Sequence, residues 1–172
     1  MGRVESHDAG LETVSFARPR PLRPDDEIAA FDCGREELNE WLVRRALRSE
    51  RERDARTYVT CETDGGRVAG YYCLSASSVA RSTASGALSR NAPDPIRAVL
   101  LGKLAIDREF QGGARLGTSL LQDAVVHATT AAERIGLRAL IVDALDDSAV
   151  AFYARHGFKP FTGQPLRLFH RL

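Results

Sequence analysis

The sequence predicts one α/β domain in which helices flank a mixed, mostly antiparallel sheet. Two strand-forming runs, "TYVTCET" and "RVAGYYCLSASSVA", are joined by an Asp-Gly-Gly turn, a pattern typical of an antiparallel hairpin. The apolar run "AVLLGKLAI" predicts a long strand that leads through a glycine-rich turn into a helix. A later run, "ALIVDAL", is almost entirely apolar, which favours a strand covered on both faces.

The first part of the chain contains one helix between extended segments. Residues 1–12 are polar and lack periodicity, so we predict a flexible N-terminal end followed by one domain over residues 13–172. The run "TVSFA" predicts the first strand, and the prolines of "RPRPLRPDDE" exclude a helix there. Helical periodicity begins at Glu36. The apolar side chains of this helix share one face: Leu38, Trp41, Leu42 and Ala46.

The second part of the chain alternates helices and strands. Residues 81–96 are rich in Ser, Gly, Ala and Pro and are predicted to form a loop. A helix with one apolar stripe starts at Leu116. Asp146 or Asp147 caps a shorter helix, which Gly157 ends. Two short strands close the chain, "FKPF" and "LRLFH".

Composition limits the class of protein. A chain of 172 residues with 44% hydrophobic residues suits a single globular domain. No uncharged apolar run approaches the roughly 18 residues of a membrane helix, and the start "MGRVESHDAG" lacks the apolar block of a secretion signal. We therefore expect a cytoplasmic protein without membrane contact. Cys33, Cys61 and Cys73 fit neither a zinc site nor a disulfide framework, so we interpret them as small apolar residues and expect no metal.

The glycine-rich turn carries the strongest functional signal. In "LAIDREFQGGARLGTSLLQDAV" the small residues Gly112, Gly113, Ala114 and Gly117 lie between a strand and a helix. Small residues let backbone amides approach a ligand closely, and the start of a helix favours an anion, so the turn predicts a pyrophosphate site. A Walker loop is excluded because no Lys precedes Thr118, and a Rossmann fingerprint belongs after a first strand. Tight packing of the helix on the strand remains the alternative.

The same stretch resembles a known family. "KLAIDREFQGGARLGTSLL", with "AFYARHGFKPF" following it, closely resembles the GCN5-related N-acetyltransferase (GNAT) family, whose signature Q/R-x-x-G-x-G/A binds the pyrophosphate of acetyl-coenzyme A through backbone amides. The match is carried by Gln111, Gly112, Ala114 and Gly117, with the last glycine one position later than usual. The resemblance implies a GNAT fold and acetyl-CoA as cosubstrate, without a metal.

Four further segments narrow the resemblance. "FDCGREELNEWL", "ARTYVTCE", "GRVAGYYCLSASSV" and "GKLAIDREFQG" resemble the toxin branch of the family, whose members acetylate the α-amine of aminoacyl-tRNA. The resemblance therefore implies a translation-blocking toxin with charged tRNA as substrate. It also implies a ribbon-helix-helix antitoxin (DUF1778-like) and a homodimer. Two alternatives stay open: an acetyltransferase for a small-molecule or protein amine, and a non-catalytic module that binds coenzyme A or titrates an antitoxin.

The resemblance also implies roles for particular residues. Tyr153 is the implied general acid for the departing coenzyme A thiolate, although a core tyrosine is the alternative. The strand before the turn is expected to bind pantetheine, with an N–H near Leu104 or Ala105 stabilising the oxyanion. Simple strand pairing would explain the same residues. The expected coenzyme-binding residues are Leu104, Ala105, Ile106, Gln111, Gly112, Gly113, Ala114, Arg115, Leu116, Gly117 and Thr118.

No carboxylate or histidine suggests a general base. We interpret Asp107 and Glu109 as capping or solvent-facing residues and Asp146 as a helix cap. An α-amine has a pKa of about 7.7–8.0, which a neighbouring ester lowers, so much of an aminoacyl substrate is already unprotonated. His127, His156 and His170 show no triad or metal pattern and are interpreted as surface or packing residues.

Arginines provide a candidate RNA surface, although the net charge is only +1. Phosphate contacts made by arginine position a nucleic acid without reading its sequence. An ordinary solvated helix face would show the same pattern. The candidate residues on the first helix are Arg44, Arg45, Arg48 and Arg51, and those of the 81–96 segment are Arg81 and Arg90.

Overall fold

A computed structural model describes residues 14–84, 86–113 and 115–172 and contains a seven-stranded sheet in the order β1-β2-β3-β4-β5-β7-β6. The strands are β1 Arg20–Pro21, β2 Arg56–Cys61, β3 Val68–Val79, β4 Ile96–Ile106, β5 Ala139–Asp143, β6 Lys159–Phe161 and β7 Gln164–Arg171. All neighbouring strands are antiparallel except β4 and β5, which run parallel. The predicted mixed, mostly antiparallel sheet is confirmed.

Helices cover both faces of this sheet. They are α1 Glu36–Glu40, a π-helical segment Trp41–Arg45, α2 Ala46–Glu52, α3 Gly86–Ser89, α4 Leu116–Ile135 and α5 Asp147–Arg155. Helices α4 and α5 pack with Leu101 and Leu140 on one face. The continuous helix 36–52 packs on the other face against Val59 and Tyr71, and α3 contributes Leu88 beside Ile96. Among the described residues, no helix is long and apolar enough to cross a membrane.

Two predictions for the peripheral segments are wrong. The run "TVSFA" forms only an isolated bridge between Phe16 and Glu62, whose register differs by one residue from that of β1, where Arg20 pairs with Val59. Strand β1 lies instead in the proline-rich segment. The predicted loop 81–96 contains a 3₁₀ helix, Arg81–Thr83, as well as α3. The predicted flexible end, residues 1–12, lies outside the described residues.

The parallel pair β4–β5 opens into a fork. The strands are paired from Ala98–Ala139 to Leu101–Val142, after which β5 ends while β4 continues to Ile106. The open edge of β4 points its polar groups into the gap. The Asp107 amide donates to Ala69 of the hairpin, so alternation along an antiparallel ladder directs the N–H groups of Leu104 and Ile106 away from β3, into the fork.

A β-bulge at Gly102 changes which face of the sheet the next side chains occupy. The pairing with β3 moves from Cys73–Lys103 to Leu74–Leu101, which leaves Gly102 as the extra residue. Leu101 and Leu104 consequently lie in the same core cluster beneath α4 and α5, although they are three positions apart. Lys103 is thereby placed on the opposite face, above helix 36–52.

Asp107 fixes the end of β4. Its carboxylate is 1% exposed and accepts the backbone N–H groups of Asp32 and Glu109, both at 3.1 Å. The guanidinium of Arg67, on the hairpin, lies 3.0 Å from the same carboxylate and 2.7 Å from Glu109. Asp107 therefore ties together the segment before α1, the hairpin and the glycine turn, and the capping interpretation is confirmed.

We expect Asp107→Ala to lower the free energy of unfolding by roughly 2–4 kcal/mol, because two backbone amides and a guanidinium lose their buried acceptor. Glu109→Ala is the matched control, since it removes the exposed partner of the same arginine and should cost less than about 1 kcal/mol. Urea denaturation of the two variants measures both values. Equal losses would show that Asp107 is no more than a surface ion-pair partner.

Candidate active site

Three connected cavities follow the fork from the glycine turn to the point where β4 and β5 part. The turn cavity, of about 350 Å³, lies between the glycine turn and α5. The strand cavity, of about 320 Å³, lies along the open edge of β4 and shares Ile106, Gln111 and Phe152 with the first. The fork cavity, of about 90 Å³, shares Leu104 and Tyr153 with the second. One continuous groove therefore leads from the turn to Tyr153.

The turn end of the groove presents backbone amides and positive charge. Gly112 has a φ of +87°, which a residue with a side chain adopts only under strain, and Arg115, the N-cap of α4, has a φ of +52°. No side chain caps this helix start, and its first backbone bond runs from Ser119 to Arg115 at 3.0 Å. The amides before Ser119 thus precede the helical ladder and favour an anion. Arg115, Arg155 and His156 line the same cavity.

Several predicted turn residues stabilise this geometry through contacts with neighbouring elements. The Gln111 side chain donates to the carbonyl oxygens of Ile106 at 2.8 Å and Cys33 at 3.0 Å, so it fastens the turn to β4 and to the segment before α1. Thr118 Oγ1 lies 3.2 Å from His156 Nε2, which links α4 to α5. A Cβ on Gly117 would lie 3.6 Å from the Phe152 ring, so the two helices approach closely there. Ala114 lies outside the described residues.

Backbone amides dominate the middle of the groove. Leu104 faces the fork, whereas Ala105 pairs with Tyr71 and belongs to the core beneath helix 36–52. The Leu104 amide is therefore the one of the two expected donors that points into the groove. The carbonyl of Ile106 is already engaged by Gln111, which leaves its amide toward the strand cavity.

Tyr153 lies where the strand and fork cavities meet. Tyr153 is 7% exposed, and its ring packs against Phe152 and Phe158 with centroid distances of 5.2 and 5.5 Å. Within the part of the chain that the structure describes, its hydroxyl has no hydrogen-bond partner. Burial raises the pKa of the Tyr153 phenol to about 12. The Tyr153 ring therefore belongs to the core and the residue also lines the groove, while its role as a general acid stays a prediction.

The segment before α5 is held by Asp146. Its carboxylate accepts the N–H of Ala149 at 2.8 Å and forms an ion pair with Arg35, which confirms the predicted helix cap. The Ala149 hydrogen bond, with the charge of Arg35, holds the pKa of Asp146 below its usual value. The pair bridges the groove, because Arg35 comes from the segment before α1 and Asp146 from the start of α5.

Sequence reasoning missed groove residues that come from distant parts of the chain. They include Cys33, Arg35, Glu37, Leu38 and Arg155. His156, which the sequence suggested as a surface or packing residue, also lines the groove. Its ring lies 4.8 Å from that of Phe152, four positions earlier. The described residues contain no group of His, Cys, Asp and Glu side chains able to hold a metal ion.

The predicted RNA-contacting arginines lie on one face of the sheet. Arg44 and Arg48 are exposed and pair with Glu40 at 3.5 Å and Glu52 at 2.9 Å. The remaining residues of the set, Arg45, Arg51, Arg81 and Arg90, are also exposed. Helix 36–52 and α3 pack against the same side of β3, so the structure brings both groups to one face.

Comparisons with known proteins agree on one family. Residues 53–160 match the acetyltransferase (GNAT) domain. A tRNA-acetylating toxin from Mycobacterium tuberculosis is 41% identical over 89% of this chain and 90% of its own length.

Two solved structures of a protein called AtaT superpose well. AtaT in complex with acetyl-methionyl-tRNAfMet is 32% identical, with a TM-score of 0.83 over 91% of this chain and 95% of AtaT. The second structure is a variant of AtaT with one tyrosine changed to phenylalanine, bound to the C-terminus of the antitoxin AtaR and to acetyl-CoA. It is 31% identical, with a TM-score of 0.76 over 91% of this chain and 92% of the AtaT chain.

We expect the Tyr153 phenol to stay protonated well beyond about pH 10, where an exposed tyrosine is half ionised, because burial disfavours the phenolate. Carbon-13 NMR of protein labelled at tyrosine Cζ measures this, and the Tyr153 signal is the one absent from Tyr153→Phe. A tyrosine peptide in the same buffers provides the reference. A midpoint equal to that of the peptide would show that the hydroxyl is fully solvated.

Proposed function

We propose that this chain, which belongs to the GNAT acetyltransferase family and to its toxin branch, transfers the acetyl group of acetyl-CoA to the α-amine of an aminoacyl-tRNA. An acetylated amine can no longer attack a peptidyl ester, so the product blocks translation. One observation carries the proposal: the groove leads from an anion-binding turn, along an open strand edge, to a buried tyrosine hydroxyl.

The described residues fit acetyl-CoA. The amides at the start of α4 and the charges of Arg115 and Arg155 suit the diphosphate. The unpaired amides of Leu104 and Ile106 suit the amide-bearing arm of the coenzyme, which can add to β4 in the manner of a strand. When bound, acetyl-CoA supplies an activated thioester as the acyl donor.

The chain's own residues favour acyl transfer at the fork. The Leu104 N–H can donate to an oxygen that gains negative charge, and the donor is already fixed by the β4–β3 ladder. The Tyr153 hydroxyl keeps its proton throughout the neutral range and can give it to a departing thiolate. Since Asp107 and Glu109 are engaged by backbone amides and Arg67, neither is free to act as a base. The α-amine itself is largely unprotonated near pH 8.

The partners follow from the same proposal. The exposed arginines on helix 36–52 and near α3 are suited to tRNA phosphates. The AtaT complex with its antitoxin supports an antitoxin partner, for which we propose the ribbon-helix-helix type, and we also propose a homodimer. Action on charged tRNA would place the protein in the cytoplasm.

The central test incubates the protein with labelled acetyl-CoA and total charged tRNA. We expect the label to appear in N-acetylaminoacyl-tRNA. We expect Tyr153→Phe to lower the rate about 10²–10⁴-fold, because the variant loses the hydroxyl that donates a proton in the transition state. The values of kcat and kcat/KM should fall together while acetyl-CoA affinity stays unchanged. The AtaT tyrosine-to-phenylalanine variant binds acetyl-CoA, which supports this design.

Three other outcomes of this experiment would support a different function or a different mechanism. Label recovered only on small amines or proteins would favour an acetyltransferase for those substrates. No transfer at all, despite coenzyme binding, would favour a non-catalytic module. A folded Tyr153→Phe variant with the wild-type kcat would remove Tyr153 from the mechanism.

We expect Gly112→Asp to lower the affinity for acetyl-CoA strongly. The substitution strains a residue with positive φ and places a carboxylate beside the diphosphate. Gly163→Asp is the matched control, because Gly163 also has a positive φ and open space around a Cβ but lies between β6 and β7, outside the lining of the groove. Titration calorimetry measures both affinities, and thermal unfolding verifies that both variants fold. Wild-type affinity in Gly112→Asp would move the diphosphate to another site.

A further inference from the structure

Lys103 occupies an unusual position at the far end of the groove. It follows the Gly102 bulge and lines the fork cavity together with Tyr153. Its side chain is partly exposed, and its ammonium lies 5.9 Å from the centre of the Trp41 ring. Without the bulge, strand alternation would direct this side chain into the core beneath α4 and α5. The bulge instead places the ammonium at the edge of the cavity, on the side of helix 36–52.

An aromatic stack fixes this ammonium. Trp41 lies almost parallel to the buried Tyr71 ring, with centroids 5.8 Å apart, and the Tyr71 hydroxyl donates to the Leu38 carbonyl at 2.8 Å. Trp41 also begins the π-helical segment, a geometry often found at functional sites. The same Trp41 ring makes a cation–π contact with Lys103.

Lys103 is not neutralised by a carboxylate. Among the described residues, no acidic group lies within ion-pair distance of its ammonium, which donates a hydrogen bond to the Gly102 carbonyl at 3.4 Å. Two acidic residues do line the fork cavity: Glu37, which is exposed, and Asp143, which pairs with Arg167 at 3.2 Å. Lys103 is the one cationic residue among the described residues that line this cavity.

We propose that the fork cavity is the acceptor subsite and that Lys103, held by Trp41, binds the phosphate that joins the terminal aminoacyl nucleoside to the rest of the RNA. This inference rests on the proposed function. The fork cavity is small, about 90 Å³, so it takes only the aminoacyl end, while the phosphate stays at the partly exposed edge where Lys103 lies. The anionic phosphate of the acceptor matches the ammonium of Lys103, while the amine enters the cavity in its neutral, reactive form. Lys103 is therefore a positioning residue.

The test compares two stable acceptors. Both carry the preferred amino acid in amide linkage on 3′-amino-3′-deoxyadenosine, and only one has a 5′-phosphate. The wild type should use the phosphorylated acceptor roughly 10- to 100-fold better in kcat/KM, the range for a hydrogen bond to a charged group. Lys103→Met should lose this preference while keeping wild-type activity on the acceptor without phosphate. Lys103→Arg should retain most of the preference.

Lys159→Met is the matched control, because it removes the chain's other lysine, which is exposed on the edge strand β6. It should behave as the wild type, and acetyl-CoA affinity should be unchanged in all three variants. With charged tRNA, Lys103→Met should raise KM and reduce its dependence on salt, with the slope falling by about 0.7 for one single-stranded phosphate. If neither small acceptor is used, this slope decides the question.

Two results would overturn the inference. A Lys103→Met variant that keeps the phosphate preference, or the full salt slope with charged tRNA, would show that another group binds the phosphate. An equal loss on both small acceptors would make Lys103 a structural residue. A wild-type protein that acetylates no aminoacylated acceptor would instead contradict the proposed function, so the two failures are distinct.

Discussion

The groove depends on one constraint, which is that β4 is longer than the strand beside it. Four residue pairs hold β4 and β5 together, and beyond Leu101 and Val142 the edge of β4 has no strand partner. A sheet normally hides or pairs such an edge, since unpaired backbone groups attract other chains. Here the edge is kept inside a groove formed by α5 and the segment before α1, so its backbone groups are available to water or to a ligand that enters the groove and not to another sheet.

The ends of that groove are fixed by polar contacts over long sequence distances. The Asp107 carboxylate accepts a hydrogen bond from the Asp32 amide, and the Gln111 side chain donates one to the Cys33 carbonyl. These bonds hold the glycine turn and the start of the first helix as one unit. The Arg35–Asp146 pair joins the opposite wall. Three elements far apart in the chain thereby keep a fixed width for the coenzyme, which limits the entropy lost on binding.

The sequence was informative where a pattern is local. Period-two and helical periodicity predicted the hairpin, β4, α4 and β5, and the glycine turn between β4 and α4 predicted the anion site. The first strand was mispredicted because no pattern in "TVSFA" reveals the change of register between the Phe16–Glu62 bridge and β1. The short helix α3 formed around Leu88, whose burial against Ile96 outweighed a loop-like composition.

The rest of the site could not be predicted, because tertiary contacts create it. Lys103 looked like an ordinary strand residue, and only the bulge before it decides which face it occupies. Arg35 and Arg155 meet the groove from opposite sides, a juxtaposition that spacing along the chain cannot show.

The partnerless hydroxyl of Tyr153 has an evolutionary consequence. Its ring is held by aromatic packing, and no described residue relies on the oxygen. A change of tyrosine to phenylalanine needs only one base substitution, and here it leaves the core intact. Under the role proposed for Tyr153, selection against a harmful gene can therefore silence its chemistry without unfolding its product. Lineages of this fold can persist as catalytically inactive proteins that still occupy the coenzyme and its partners, a reservoir from which new binding proteins can arise.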